Sequence, residues 1–280
     1  MADQEGRIAV VTGGGRGLGR LAALGLASGG ATVVAVARSE EQLAETARLA
    51  SEAGGQIVTM RADVAEIDGV EALAGRVHAE VGRPTILVNA AGTFGPIALI
   101  HEADPHEWVR TVMVLAIAPY LTVRAFLEGM LDEGWGRIVN LTSAASLHPP
   151  GPLNSAYATA KVALNQFTRH LAAEITGTGV TANVIHPGDV RTDMWRDIRD
   201  KVAAMGPIAQ AYQAWAQWVD DTGGDPPEKA VDLILRLTSD AGGARNGEFC
   251  WIDEPLQAPI PSWGEAPRTQ PWLQGTAADR

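Results

Sequence analysis

At 280 residues, with 46% hydrophobic residues and a formal net charge of −11, the chain suits one large α/β domain and offers nucleic acid no basic stripe. Its single cysteine, Cys250, excludes an intrachain disulfide and any cysteine-based zinc cluster. The first residues, Met1-Ala2-Asp3-Gln4-Glu5-Gly6, carry no basic, apolar leader, and the longest apolar run, 112–123, is short for a bilayer and contains Pro119. A cytoplasmic protein without membrane or nucleic-acid partners is expected.

Residues 7–12 read as a short buried strand, β-branched and stopped by glycine. Thr12-Gly13-Gly14-Gly15-Arg16-Gly17-Leu18-Gly19 follows and opens a helical stretch over 17–29. Strand, glycine turn and helix in that order make a dinucleotide loop the reading to test, with a flexible surface loop as the bland alternative. Gly13 would permit the tight turn, Gly17 would let backbone approach a pyrophosphate, and Gly19 would let the helix sit close to the sheet. The helix N-terminus would then offer free N–H groups to the phosphates. The spacing is Gly-x-x-x-Gly-x-Gly, not the commoner Gly-x-Gly-x-x-Gly.

Further strand-like runs fall at 32–37, 56–61, 84–89, 136–142, 180–186 and 247–252. Helical stretches lie between them at 39–53, 66–81, 105–133, 154–177 and 226–238. Single helices alternating with the first six strands imply parallel strands joined by right-handed crossovers, a doubly wound sheet of the Rossmann type with helices on both faces. One domain over 1–252 is expected. Ligands of such sheets bind at the carboxyl ends of the strands, where Thr12, Asp63, Asn89, Ser143 and Pro187 fall.

Tyr157 and Lys161 are four residues apart, which puts a phenol and an ammonium on one helix face, fourteen residues after Ser143. A free phenol titrates near ~10, and a fixed cation beside it favours the phenolate. Alone, such a pair occurs in many helices. Its company gives it weight: Thr12–Gly19, Asp63-Val64, Asn89-Ala90-Ala91-Gly92, the strand ending Thr142-Ser143, and Pro187-Gly188-Asp189-Val190-Arg191-Thr192. These motifs, in this order through 7–192 and more faintly to about 252, resemble the short-chain dehydrogenase/reductase family, in its branch with chains of about this length.

The resemblance implies a seven-stranded sheet and hydride exchange between a nicotinamide and a carbonyl or secondary alcohol. Tyr157 would act as general acid or base, Lys161 would lower its pKa and bind the nicotinamide ribose, and Ser143 would stabilise the substrate oxygen. It implies cofactor contacts from Thr12, Gly13, Arg16, Gly17, Leu18 and Gly19 in the first loop. Asp63 and Val64 would meet the adenine, with Asn89, Ala90 and Gly92 beyond them and Pro187, Gly188, Val190 and Thr192 on the nicotinamide side. It also implies that 193–224 forms a mobile flap over the substrate. That insertion carries Met194, Trp195, Met205, Tyr212, Trp215 and Trp218, so an apolar ketone or alcohol is expected, although these residues could equally pack a helix pair.

Cofactor choice is read at the end of the second strand. A carboxylate there would bind the ribose hydroxyls of NAD and repel a 2′-phosphate. Ala37-Arg38 stands there instead, with Arg16 in the glycine loop, and guanidinium suits phosphate. NADP(H) is favoured, with NAD(H) as the alternative and Arg16 free to be merely solvated. The histidines show no metal-ligand spacing and no metal is expected; His148 could line the pocket or be a plain loop residue.

One position departs from the family pattern. Aligning from Trp108 places Leu115 where members usually carry an asparagine that supports a helix kink and a water relay. Pro119 follows four residues later and cannot bond the Leu115 carbonyl, so the kink is expected to persist without the amide. The competing expectation is a catalytically weak dinucleotide-binding protein serving as a sensor or assembly partner. A homodimer or homotetramer through 105–133 and 154–177 is expected, with an extended proline- and tryptophan-containing tail over 253–280.

Overall fold

The structure, a computed structural model, describes residues 4–147 and 150–253; His148 and the tail from residue 254 onward lie outside the described residues. Seven parallel strands form one sheet: β1 Ile8–Thr12, β2 Thr32–Ala37, β3 Ile57–Arg61, β4 Ile86–Asn89, β5 Gly136–Leu141, β6 Val180–His186 and β7 Phe249–Trp251. Their order is β3-β2-β1-β4-β5-β6-β7. The strand order reverses between β1 and β4, and a crevice opens at that switch point.

The central strands are buried on both faces, which is why they read as continuous apolar runs. In β1, Ala9 and Val11 face a layer holding Leu26, Leu43, Leu233 and Ile234. These side chains come from α1 Gly17–Ser28, α2 Glu40–Glu52 and α9 Pro227–Leu237. Val10 points the other way, into a layer with Leu73, Val77, Phe126, Met130 and Leu171. That layer is carried by α3 Ile67–Glu80, α5 Ala118–Glu133 and α6 Ser155–Glu174.

The stretch expected as one helix over 105–133 is three pieces. α4 Pro105–Val112 starts on Asp104, whose carboxylate accepts the His106 N–H at 2.8 Å, with proline at the first helical position. A π-helical turn follows at Met113–Ile117, closed by the Ala118 N–H on the Met113 carbonyl, and α5 resumes the α ladder. Pro119 explains the break, because it has no N–H for either the Leu115 carbonyl (α spacing) or the Val114 carbonyl (π spacing). The expected kink is therefore built into the backbone. By length and composition the whole stretch could cross a membrane, but Phe126 and Met130 are fully inside the sheet core, as in a soluble core helix.

The insertion at 193–224 forms two helices, α7 Asp193–Ala203 and α8 Gln210–Thr222. Ile198, Val202 and Ala209 are buried there with Leu153, and Phe94, Met194, Tyr212 and Trp215 surround them. The insertion thus closes on the loop after β4.

A buried polar chain ties the strand ends together. Thr12 pairs in register with Asn89, and Asn89 with Asn140. The Thr122 hydroxyl donates to Asn89 Oδ1 at 2.8 Å and Asn89 Nδ2 donates to Asn140 Oδ1 at 2.9 Å. Asn140 Nδ2 donates to Thr168 Oγ1 at 2.8 Å, linking β5 to α6. Such a network stabilises only when complete. Asn140→Ala should cost about 3 kcal/mol, because it strands partners on both sides; urea denaturation checks this, and a loss under about 1 kcal/mol would contradict it.

Candidate active site

The glycine loop folds under tight steric constraint. Gly13 has φ +70°, and a Cβ there would lie 2.7 Å from the Ala91 nitrogen. A Cβ on Gly19 would lie 2.3 Å from the Gly13 carbonyl oxygen, so the first turn of α1 rests directly on the loop's own backbone. The loop and the ends of β2, β3 and β4 wall a crevice of about 490 Å³.

Among the expected residues, Gly13, Arg16, Gly17, Leu18, Gly19, Arg38, Asp63, Val64, Ala90, Gly92, Tyr157, Lys161, Pro187 and Thr192 line this crevice. Thr12, Asn89, Ser143, Gly188 and Val190 do not. Thr12 Oγ1 accepts the Ala91 N–H at 3.2 Å and so braces the loop after β4, while Asn89 is spent in the buried amide chain. A Cβ on Gly188 would meet Ile252 and Asp225, and Val190 pairs with Gly224, which fastens the loop after β6 to the end of the insertion.

Two lining residues, Arg110 and Asp193, carried no local signal in the sequence. Arg110 on α4 forms ion pairs with Asp63 and, at 2.9 Å, with Glu66, so the carboxylate after β3 is already neutralised. Asp193 at the start of α7 lies 3.5 Å from Arg16 across the crevice mouth. Leu115, in the π-turn, lines the crevice beside Gly92 and Met194. The Arg38 side chain has no carboxylate partner among the described residues, and no acid ends β2.

Tyr157 and Lys161 lie one turn apart on α6, with the ammonium 5.5 Å from the phenol ring centre. Ser143, extended just past the end of β5, lies close enough to the Tyr157 hydroxyl to act on its ionisation, so the three side chains meet. Phe94 stacks on the Tyr157 ring at 4.8 Å, and Tyr212 from α8 meets Phe94 edge-on at 5.9 Å. Burial pushes the Tyr157 phenol up from its ordinary value, opposed by the Ser143 hydrogen bond. The expected lowering by Lys161 is not seen. The reason is that burial acts on the lysine too, pushing it down to about 7, where an ammonium is only partly populated at neutral pH.

Lys161 Nζ donates to the Leu141 carbonyl at 2.5 Å, its one hydrogen-bond acceptor among the described residues. An ammonium has three donors. Two are thus left at the wall of a crevice whose loop is shaped for close backbone approach, and ribose hydroxyls would satisfy them. The chain's own residues fit a dinucleotide.

The model of the short chain dehydrogenase family matches residues 7–203, and the chain belongs to that family. It is therefore a nicotinamide-dependent oxidoreductase on a Rossmann sheet. A short chain dehydrogenase from Pseudocercospora fijiensis is 34% identical over 191 residues, 68% of this chain and 62% of that protein. The short chain dehydrogenase pigC of Monascus ruber is 36% identical over 254 residues, 89% of this chain and 79% of that one. Among solved structures, a variant actinorhodin polyketide ketoreductase with NADPH superposes with a TM-score of 0.81 at 27% identity, covering 90% of this chain and 97% of that one.

Burial of Lys161 has a pH signature. Above about 10.5 the lysine is neutral folded or unfolded; between there and about 7 only the unfolded chain takes a proton, so falling pH destabilises the fold through that window. Lys161→Met removes the effect. Between pH 10.5 and 7 the wild type should lose stability relative to this variant, by up to about 5 kcal/mol. Denaturant titrations at the two pH values check it, and a constant difference would contradict it.

Proposed function

We propose that the protein transfers hydride between NADP(H) and an apolar ketone or secondary alcohol, with Tyr157 as general acid/base, Lys161 as its electrostatic partner and Ser143 as donor to the substrate oxygen. The observation that carries this reading is the meeting of Ser143, Tyr157 and a buried Lys161, with one of its three donors satisfied, at the wall of a crevice closed by a glycine loop. The dinucleotide, when bound, supplies the hydride and, oxidised, a positive ring. Lys161 would hold its ribose with the donors that Leu141 leaves free. That contact would favour the ammonium, and a charged Lys161 would stabilise the Tyr157 phenolate. Ser143 would donate to the substrate oxygen as negative charge gathers there, and the phenol would deliver the proton. Gly13, Gly17, Leu18 and Gly19 would cradle the pyrophosphate, Asp63 and Val64 would flank the adenine, and Pro187 and Thr192 would bound the nicotinamide side.

The Arg38 guanidinium just past β2, without a carboxylate partner among the described residues, favours a 2′-phosphate, with Arg16, which also meets Asp193, in support. An apolar substrate fits the walls beyond Tyr157, where Phe94, Tyr212, Met194 and Leu153 lie. We read the protein as cytoplasmic. We also read it as a homodimer or homotetramer, because Val109, Ile117, Tyr120 and Val162 leave α4 to α6 with exposed apolar side chains. Leu115 favours a second reading, a weakly catalytic dinucleotide-binding sensor, but the π-turn preserves the kink that the missing amide would have supported.

Tyr157→Phe should lower turnover of a ketone panel by about a hundredfold or more while leaving NADPH affinity unchanged. Absorbance and fluorescence titration measure the two, and wild-type turnover in the variant would remove the mechanism. Arg38→Ala should weaken NADPH binding about tenfold and leave NADH binding unaltered; equal effects on both would remove the cofactor assignment.

A further inference from the structure

Tyr157 and Lys161 occupy one face of α6, and the next residue on that face is Asn165. Its side-chain amide is committed on both sides. Asn165 Oδ1 accepts the Thr142 hydroxyl at 2.6 Å, and Asn165 Nδ2 donates to Ser146 Oγ at 2.8 Å. The Ser146 hydroxyl in turn donates to the Ser143 carbonyl at 2.6 Å. One amide thus grips the residue before Ser143 and, through a single hydroxyl, the peptide of Ser143 itself. The two grips lie on opposite sides of the serine, and both originate on the helix that carries Tyr157 and Lys161.

Ser143 needs such fixing. It lies two residues past the end of β5 in an extended conformation and caps the short turn Ala144–Ser146, its Oγ accepting the Ala145 N–H at 3.2 Å. From the far side, His186 Nδ1 accepts the Ala144 N–H at 3.3 Å. The last backbone bond to β6 is that of the Thr142 N–H on the Ile185 carbonyl at 2.8 Å, so Ser143 itself lies just past the paired strand. Its height above α6 decides whether the serine hydroxyl reaches the tyrosine hydroxyl, and small displacements in such contacts cost rate steeply.

We propose that Asn165 is a positioning residue that sets Ser143 in register with Tyr157 and Lys161, so that three successive turns of α6 carry the acid/base, its electrostatic partner and the clamp for the oxygen-binding serine. The proposal rests on the oxidoreductase reading above. Asn165 does not line the crevice and acts through Thr142 and Ser146. The direction of its two bonds matters: a carboxylate at 165 could still accept from Thr142 but could not donate to Ser146. The Ser146 hydroxyl would then turn to that carboxylate and release the Ser143 carbonyl.

The test is a double-mutant cycle on the full chain, with NADPH and the best ketone of a panel as the assay. Asn165→Leu and Asn165→Asp should each lower kcat about tenfold, with NADPH affinity and KM nearly unchanged. In a Ser143→Ala background, neither change should lower kcat further, because the residue they position is gone. A merely structural role would give losses that multiply across the two backgrounds. If Asn165→Leu does not fold, Ser146→Ala carries the test, since it removes only the last link and should show the same loss and the same non-additivity. Unchanged kcat in Asn165→Asp and Ser146→Ala, or multiplying losses, would overturn the clamp. A wild type that oxidises NADPH with no ketone at all would instead overturn the oxidoreductase reading, and the clamp with it.

Discussion

The Lys161 ammonium lies 2.5 Å from the Leu141 carbonyl in a site where burial pushes it down to about 7. A single carbonyl does not repay the desolvation of a cation. The fold holds this unfavourable group in place because α6 packs on β6, α4 and the π-turn at Met113–Ile117, with Ala160, Leu164 and Leu171 buried. The same burial raises the Tyr157 phenol. The lysine is therefore only partly charged at neutral pH and the phenol is held protonated, and whatever returns the lysine to its charged form also makes the phenol more acidic. A dinucleotide ribose in the adjoining crevice is suited to that task, and in the proposed mechanism it would couple cofactor binding to the acid/base chemistry.

The surroundings are rigid where this coupling needs them to be. The ends of β1, β4 and β5 are joined in register through Asn89 and Asn140, and the chain of amides continues into α6 at Thr168. The glycine loop has no room for a side chain at Gly13 or Gly19. The substrate side is assembled differently: α7 and α8 rest on the loop after β4 through apolar and aromatic contacts, above all the Tyr157–Phe94–Tyr212 stack. Aromatic packing of that kind accommodates changes of shape that a hydrogen-bonded amide chain does not.

Strand and helix order were legible because apolar runs, glycine turns and amphipathic spacing all agreed, and Tyr157 and Lys161 because one helix carries both. Ser143 was legible from its place at a strand end. What the sequence could not reveal depended on contacts between distant segments. Arg110 meets Asp63 only when α4 folds over the end of β3, and Asn165 meets Thr142 and Ser146 only when α6 lies along β5. Asn89 carried a ligand-contact motif, and its side-chain amide is shared between Asn140 on β5 and Thr122 on α5, which no local pattern announces. Pro119 announced a break, but the form it takes, one π-turn, depends on which carbonyls find other donors.

The most direct test of the coupling is an ultraviolet difference titration of the Tyr157 phenolate, with the Tyr157→Phe protein as blank, in the absence and presence of NADP+. The account predicts a phenol that titrates above about 10 alone and well below it with NADP+ bound, and no such drop in Lys161→Met. A phenol that stays above its ordinary value with NADP+ bound, or one that falls equally without the lysine, would contradict it.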